Sequence, residues 1–178
     1  SLVFSAPVTI DTSTQITATP LSFSKDRALL RASTGTLILL YSNGTNLVFK
    51  TSTDEGATWS GATTIDSASG DGNFYFDAII DKVTSGNIKE NDIYVCWGNN
   101  YGGNHVYLKR LTYSASPDSW SVGALVTVTG TDPIQTGGAW PSFTREATSP
   151  YRLWVSYYRG GVVAADGDGV TSYYRLCV

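Results

Sequence analysis

Charged residues are scarce in this chain of 178 residues: Asp, Glu, Lys and Arg together make up 15%, and the formal net charge is −3. Acids and bases are interspersed, so no basic patch predicts binding to nucleic acid or to an anionic membrane. Apolar runs are short, and none reaches the roughly 18 residues of a transmembrane helix. Since 42% of the residues are hydrophobic, the composition and length fit one compact domain.

Cysteine and histidine, the usual zinc ligands, are equally sparse, with two cysteines and one histidine. Cys96 and Cys177 lie in strand-like runs and lack the spacing of a disulfide framework or a zinc site, so we expect buried thiols in preference to a disulfide. The composition therefore indicates no metal and no other cofactor. Asn43-Gly44-Thr45 matches a glycosylation sequon, but Asn-Gly between two apolar runs favours a hairpin turn.

Aromatic and β-branched residues are present in many short runs with a period of two, separated by Gly, Asn, Asp, Ser and Pro. Clear examples are TLILLYS (36–42), DIYVCWG (92–98), HVYLKRLTY (105–113) and RLWVSYY (152–158). This alternation predicts β-strands, and no segment has a convincing helical period. The sequence therefore predicts an all-β fold.

The predicted strands repeat in groups of four, which we name a to d. Blade one covers residues 27–66, blade two covers 74–128, and blade three covers 139–178 and lacks strand d. Tyr41, Trp97 and Tyr157 occupy corresponding positions in the three groups. A four-stranded repeat of this length is typical of β-propeller blades.

The N-terminal FSAPVTID (4–11) matches WSGATTID (59–66), the predicted strand d of blade one, so we predict a lone strand d at residues 3–10. Residues 1–178 then form a single half-domain of three blades, too few to close a ring. Either two chains form a six-bladed homodimer, each N-terminal strand pairing with the last strand of the other chain, or the chain is a fragment of a longer six-bladed propeller. The complementary ends favour the homodimer.

The segment STDEGATW (52–59) places Ser52, Asp54, Gly56 and Trp59 between two predicted strands. Aspartate and serine oxygens accept backbone N–H groups in turns, and glycine allows positive φ. We expect Trp59 to cover the turn and to donate its indole N–H to a carbonyl. The pattern predicts a structural role for these residues. A degenerate copy, TYSASPDSWS (112–121), keeps an aspartate and Trp120.

This segment resembles the Asp-box, or BNR repeat, of sialidases and related six-bladed propellers, and ALLRASTGTLILLYS (28–42) is similar to the first blade of a sialidase. The resemblance implies a sialidase-like β-propeller and favours a secreted or cell-surface location. Lys25 stands where the first arginine of the sialidase substrate cluster is expected, with Arg27 as the nearest substitute, and no tyrosine–glutamate pair is carried over. We therefore expect a non-enzymatic carbohydrate-recognising or interaction propeller, with no catalytic residue assigned. The alternative is a glycan-active enzyme, either a sialidase-type glycoside hydrolase or a polysaccharide lyase.

Loops at the end of the blades opposite the 52–59 turn are the predicted binding region, because loops on a rigid scaffold usually carry binding residues. Aromatic, amide and guanidinium side chains suit stacking on sugar rings and hydrogen bonding to hydroxyls. The candidates are Arg27, Tyr75, Trp97, Asn99, Asn100, Tyr101, His105, Trp140 and Arg159. Alternatively, Trp97 and Trp140 pack between blades, and His105 is a solvated residue at a strand end.

Overall fold

A computed structural model describes residues 6–11, 29–67, 74–84, 89–99, 105–128, 141–146, 152–160 and 170–177. At residues 74, 99, 158–160 and 170–177 the description covers the backbone alone. These described parts contain twelve β-strands and no helix, and all strand pairings are antiparallel. The prediction of an all-β fold is confirmed.

The strands form three sheets, each in sequence order. Sheet one consists of β1 (Leu29–Arg31), β2 (Leu37–Ser42), β3 (Asn46–Ser52) and β4 (Thr63–Ser67). Sheet two consists of β5 (Phe74–Ile80), β6 (Ile93–Asn99), β7 (Val106–Ala115), β8 (Asp118–Val122) and β9 (Val126–Thr127). Sheet three consists of β10 (Ser142–Arg145), β11 (Leu153–Gly160) and β12 (Val170–Cys177).

The turn between β2 and β3 shows why an Asn-Gly pair ends a strand. Asn43 Oδ1 accepts the N–H groups of Thr45 at 3.1 Å and Asn46 at 2.8 Å. Gly44 has a φ of 89°, which costs little without a β-carbon. The hairpin interpretation of this sequon is therefore confirmed.

Two predicted strands differ from the structure. The predicted strand d of blade two, which ends at residue 128, is divided into β8 and β9, which pair with successive parts of β7. The interruption begins at Gly123, whose N–H still donates to the Arg110 carbonyl at 2.8 Å. The strand predicted at 59–66 begins only at Thr63, because the preceding residues close the turn.

Sheet two lies between the other two sheets, with an apolar cluster on each of its faces. Period-two alternation produces this arrangement, since successive side chains of one strand point to opposite faces. The cluster toward sheet one includes Ile38, Leu40, Ile65, Phe76, Val95 and Trp97. The cluster toward sheet three includes Cys96, Val106, Leu108, Val128, Phe143 and Val155.

Strand register makes the three sheets comparable position by position. The second strands contain the corresponding residues Leu39, Val95 and Val155. Their partners on the first strands are Leu29, Ala78 and Phe143, respectively. Their partners on the third strands are Lys50, Lys109 and Arg175, respectively.

The segment at residues 6–11 belongs to no strand in the single chain. A strand requires a backbone partner, and the pairing predicted for residues 3–10 is with a second chain. Residues 1–5 lie outside the described part of the chain.

Candidate functional site

The turn between β3 and β4 is held by hydrogen bonds to its own aspartate and serine. The Asp54 carboxylate accepts from Ser52 Oγ at 2.8 Å, from the Thr58 N–H at 2.8 Å and from Thr58 Oγ1 at 2.5 Å. The Gly56 N–H donates to Ser52 Oγ at 2.9 Å, and the Trp59 indole N–H donates to the Gly56 carbonyl at 3.1 Å. Each of the four motif residues thus makes a contact that stabilises the turn.

Backbone strain and charge in this turn follow from the same contacts. Glu55 and Gly56 have φ values of 57° and 88°, so two consecutive residues are left-handed. Hydrogen bonds from the Thr58 hydroxyl, the Thr58 N–H and Ser52 lower the pKa of Asp54 to about 2. The carboxylate is therefore ionised at neutral pH, as an acceptor of several N–H and O–H groups must be.

The second aspartate turn, between β7 and β8, contacts another sheet. Asp118 accepts from the hydroxyl of Thr36, in the turn between β1 and β2 of sheet one, at 2.5 Å. A hydrogen bond with Asp118 is the main cause of the raised pKa of Tyr113. Trp120 is buried and donates its indole N–H to the Asn91 carbonyl at 2.7 Å. This turn therefore joins sheets one and two.

A lysine on β7 also joins these two sheets. Lys109 Nζ donates to the carbonyl of Ile65 on β4 at 2.6 Å and lies 3.4 Å from Oδ1 of Asp66. Nζ lies 5.8 Å from the ring centroid of Trp97. The ammonium group of Lys109 on sheet two thus binds backbone and carboxylate oxygens of sheet one.

The same contact recurs between β3 and the N-terminal segment. Lys50 Nζ donates to the Ile10 carbonyl at 2.5 Å and lies 3.9 Å from Oδ2 of Asp11. The Tyr41 hydroxyl donates to Asp11, and burial together with this hydrogen bond raises the pKa of Tyr41. Residues 10–11 thus lie on sheet one as residues 65–66 lie on sheet two. The sequence shows the similarity of segments 4–11 and 59–66 but does not show the role of the lysines. Their signal is the shared register, because Lys50 and Lys109 pair with the corresponding residues Leu39 and Val95.

Aromatic residues line the edge of sheet two that faces sheet one. Tyr107 and Lys109 lie on one face of β7, and His105, directly before β7, continues the same alternation. The ring centroids of His105 and Tyr107 are 5.9 Å apart, and those of Tyr107 and Trp97 are 5.8 Å apart. Burial raises the pKa of Tyr107, and the nearby Asp66 carboxylate adds to this shift. The row runs from the core to the end of the sheet where β7 begins.

Three of the predicted binding residues are described with their side chains. Trp97 is fully buried between sheets one and two, so a ligand has no access to its ring. Tyr75 and His105 are half-buried at the same end of sheet two. They point to opposite faces, because Tyr75 precedes Phe76, which packs toward sheet one.

The other candidates are located less fully. Asn99 pairs with Phe74 at the end of β6, and Arg159 pairs with Thr171 near the end of β11. Arg27, Asn100, Tyr101 and Trp140 lie outside the described residues.

Buried charges connect sheets two and three. Asp81 and Arg145 form an ion pair in which both side chains are almost inaccessible to solvent. Asp77 Oδ2 accepts the Phe143 N–H at 2.8 Å and the Ser142 hydroxyl at 3.3 Å. These contacts bind the first strands of two neighbouring sheets to each other. The charges of Asp77, Asp81 and Arg145 therefore stabilise the packing of these sheets.

Among the described residues, no group of three or more His, Cys, Asp or Glu side chains is arranged to hold a metal ion. The same part of the chain contains no helix of the length and apolarity needed to cross a membrane. Comparison of the chain with protein-family models, with curated proteins and with solved structures gave no match.

Proposed function

We propose that this protein is a non-enzymatic, carbohydrate-recognising or interaction β-propeller of the sialidase-like kind. The observation that carries the proposal is the face-to-face stacking of three antiparallel sheets. The aspartate turn at residues 52–59 lies at the end of sheet one opposite the Asn43–Gly44 turn, as expected of an Asp-box in a propeller blade.

The binding region of this proposal is the end of sheet two where β5 and β7 begin and β6 ends. Tyr107 and His105 supply partly exposed rings on the face toward sheet one, and Tyr75 supplies one on the opposite face. Aromatic faces stack on the apolar faces of sugars, and neighbouring polar groups bind hydroxyls. The other candidates from the sequence, Asn99, Asn100, Tyr101, Arg159, Trp140 and Arg27, remain predictions.

A glycan array at high protein concentration tests this function. We expect binding to acidic glycans or polysaccharides, and we expect Tyr75→Ala and His105→Ala to reduce it at least about fivefold by removing ring contacts. Asp54→Ala is the matched control, because Asp54 lies at the opposite end of its sheet. A blank array for the folded wild-type protein contradicts the carbohydrate function.

The enzymatic alternative is tested by an activity assay on the same purified protein. Turnover of a fluorogenic sialoside that disappears in Arg27→Ala would replace the binding function with a sialidase-type one. Turnover unchanged by Arg27→Ala and by Arg159→Ala would remove both arginines from the site.

The proposed quaternary structure is a six-bladed ring of two chains. It is supported by the contact of Lys50 with Ile10, which repeats that of Lys109 with Ile65 and so gives residues 10–11 the place of a fourth strand from a preceding sheet. Light scattering should give about twice the chain mass of 19.1 kDa. Deletion of residues 1–10 should abolish this species. A stable wild-type monomer at micromolar concentration contradicts the ring.

A further inference from the structure

The two outer faces of the stack of sheets expose apolar side chains at positions that are buried inside it. Leu29, on the outer face of sheet one, is 57% exposed, whereas the corresponding Ala78 and Phe143 are 0% and 3% exposed. Trp154, on the outer face of sheet three, is 37% exposed, whereas the corresponding Ile38 of sheet one is fully buried. Both outer faces therefore have the pattern of a face that another sheet covers.

The boundary between sheets two and three shows which charges meet when two sheets stack. Asp81 lies three positions after Ala78, the reference position on β5. Arg145 lies two positions after Phe143, the corresponding reference position on β10. We number residues on each first strand from its reference residue, so Asp81 is at position +3 of sheet two and Arg145 at position +2 of sheet three. Their buried ion pair indicates that position +3 of one sheet meets position +2 of the next sheet.

The boundary between sheets one and two follows this rule with an apolar pair. Position +3 of sheet one is Ala32, counted from Leu29, and position +2 of sheet two is Ile80. Ala32 is buried in the cluster between these sheets, and Ile80 packs against that cluster. The chemistry of the two positions is thus matched at both internal boundaries.

The outer faces carry the same two positions with complementary charge. Position +3 of sheet three is Glu146, counted from Phe143. Position +2 of sheet one is Arg31, counted from Leu29. An acid on sheet three and a base on sheet one therefore stand where Asp81 and Arg145 stand at the internal boundary.

The present partners of these residues leave them able to change contacts. Arg31 Nη2 lies 2.5 Å from Glu55 Oε1, with both side chains more than half exposed. Arg152 Nη1 lies 3.7 Å from Glu146 Oε1, and the Glu146 carboxylate also accepts the Trp154 indole N–H at 3.3 Å and the Arg152 N–H at 3.4 Å. The exposed pair of Arg31 and Glu55 contributes little to stability, so exchanging it costs little. The Glu146 side chain is 29% exposed, so it remains accessible to a second partner.

We propose that the outer face of sheet one binds the outer face of sheet three of a second copy of this chain, with Arg31 paired to Glu146 of the second copy. This inference rests on the proposed ring and names the contact that closes it. Leu29 and Trp154 of the second copy are buried in the same contact. A two-fold axis repeats the contact, so each dimer contains the charged pair twice.

Charge reversal tests the pair. Arg31→Glu and Glu146→Arg each place like charges at both contacts, and we expect each to raise the dimer dissociation constant by roughly a hundredfold or more. An equimolar mixture of the two variants restores opposite charges at both contacts, so it should form a heterodimer. Sedimentation velocity measures all three samples, and circular dichroism verifies that each variant is folded. Lys89→Glu, an exposed reversal outside these faces, is the control and should dimerise normally.

The outcomes separate this pair from the ring itself. A wild-type monomer overturns both. A wild-type dimer with normal dimerisation of both reversed variants overturns the pair and leaves the ring standing. Loss of dimer in each variant without recovery in the mixture also overturns the pair.

If a reversed variant does not fold, Arg31→Gln and Glu146→Gln replace the reversals, and both should weaken the dimer at low salt more than Lys89→Gln does. Equal behaviour of the three neutral variants overturns the pair.

Discussion

The Nζ atom of Lys109 lies 2.6 Å from the carbonyl oxygen of Ile65, so a side chain of β7 binds the backbone of β4 in the neighbouring sheet. Lys109→Met keeps the apolar stem but removes the donor, leaving a buried carbonyl unsatisfied. We expect the free energy of unfolding to fall by about 1–3 kcal/mol, measured by urea denaturation. Lys89→Met, at an exposed position, should change it by less than about 0.5 kcal/mol. Equal losses in the two variants would remove the special role of Lys109.

Gly123 lies against the backbone of β7 where strand pairing is interrupted. A β-carbon at this position would lie 2.7 Å from the Arg110 carbonyl oxygen, a distance that requires the backbone to move. We expect Gly123→Ala to destabilise the protein by about 1–3 kcal/mol. Gly61→Ala is the control, because a β-carbon there meets nothing within 4 Å. Thermal unfolding of both variants checks this, and similar midpoints would contradict the assigned close approach.

Two tryptophans after aspartate turns have different surroundings. Trp120 is 6% exposed and donates to the carbonyl of Asn91, itself a buried residue. Trp120→Phe should therefore cost about 1–3 kcal/mol, since that carbonyl loses its donor away from water. Trp59 is only half-buried, so water can replace its bond to Gly56 in Trp59→Phe. Chemical denaturation should show the larger loss for Trp120→Phe, and the reverse order would be inconsistent with these environments.

Asp54 should shape the acid side of the stability curve. Its pKa in the folded protein is about 2, below the ordinary value of 3.8, so the unfolded chain takes up this proton first. The stabilisation by Asp54 is therefore complete above about pH 5 and is lost as the pH falls through 3.8 toward 2. We expect Asp54→Asn to lower the unfolding temperature by several degrees at pH 7. Near pH 2 the unfolding temperatures of the variant and the wild type should approach each other.

The control for this pH dependence is Glu55→Gln, which removes one negative charge from the adjacent residue. Its unfolding temperature should run parallel to that of the wild type over the same pH range if Asp54 carries the effect. A constant difference between Asp54→Asn and the wild type from pH 7 to pH 2 would show that hydrogen bonding to the ionised carboxylate does not stabilise the turn.

Local chemistry in the sequence was enough to predict most of the strands and the contacts within two of their turns. The predicted run TLILLYS (36–42) forms β2, Leu37–Ser42, and the turn that follows it has the asparagine acceptor and the positive φ that Asn-Gly implies. The Asp54 turn likewise contains the expected bonds, because donors and acceptors lie within a few residues of one another. The sequence by itself therefore determined the period-two strands, their antiparallel hairpins and the chemistry of the turns.

Only the tertiary structure decided which faces of each sheet are covered by a neighbouring sheet. Alternation shows that two side chains share a face, but it does not show whether that face meets another sheet or solvent. For this reason Trp97 was an open choice between ligand binding and packing, and the sheet contact buries it completely. The contacts of Lys109 with Ile65 and of Asp81 with Arg145 join residues far apart in sequence, so they follow from the stacking of sheets and from no local pattern.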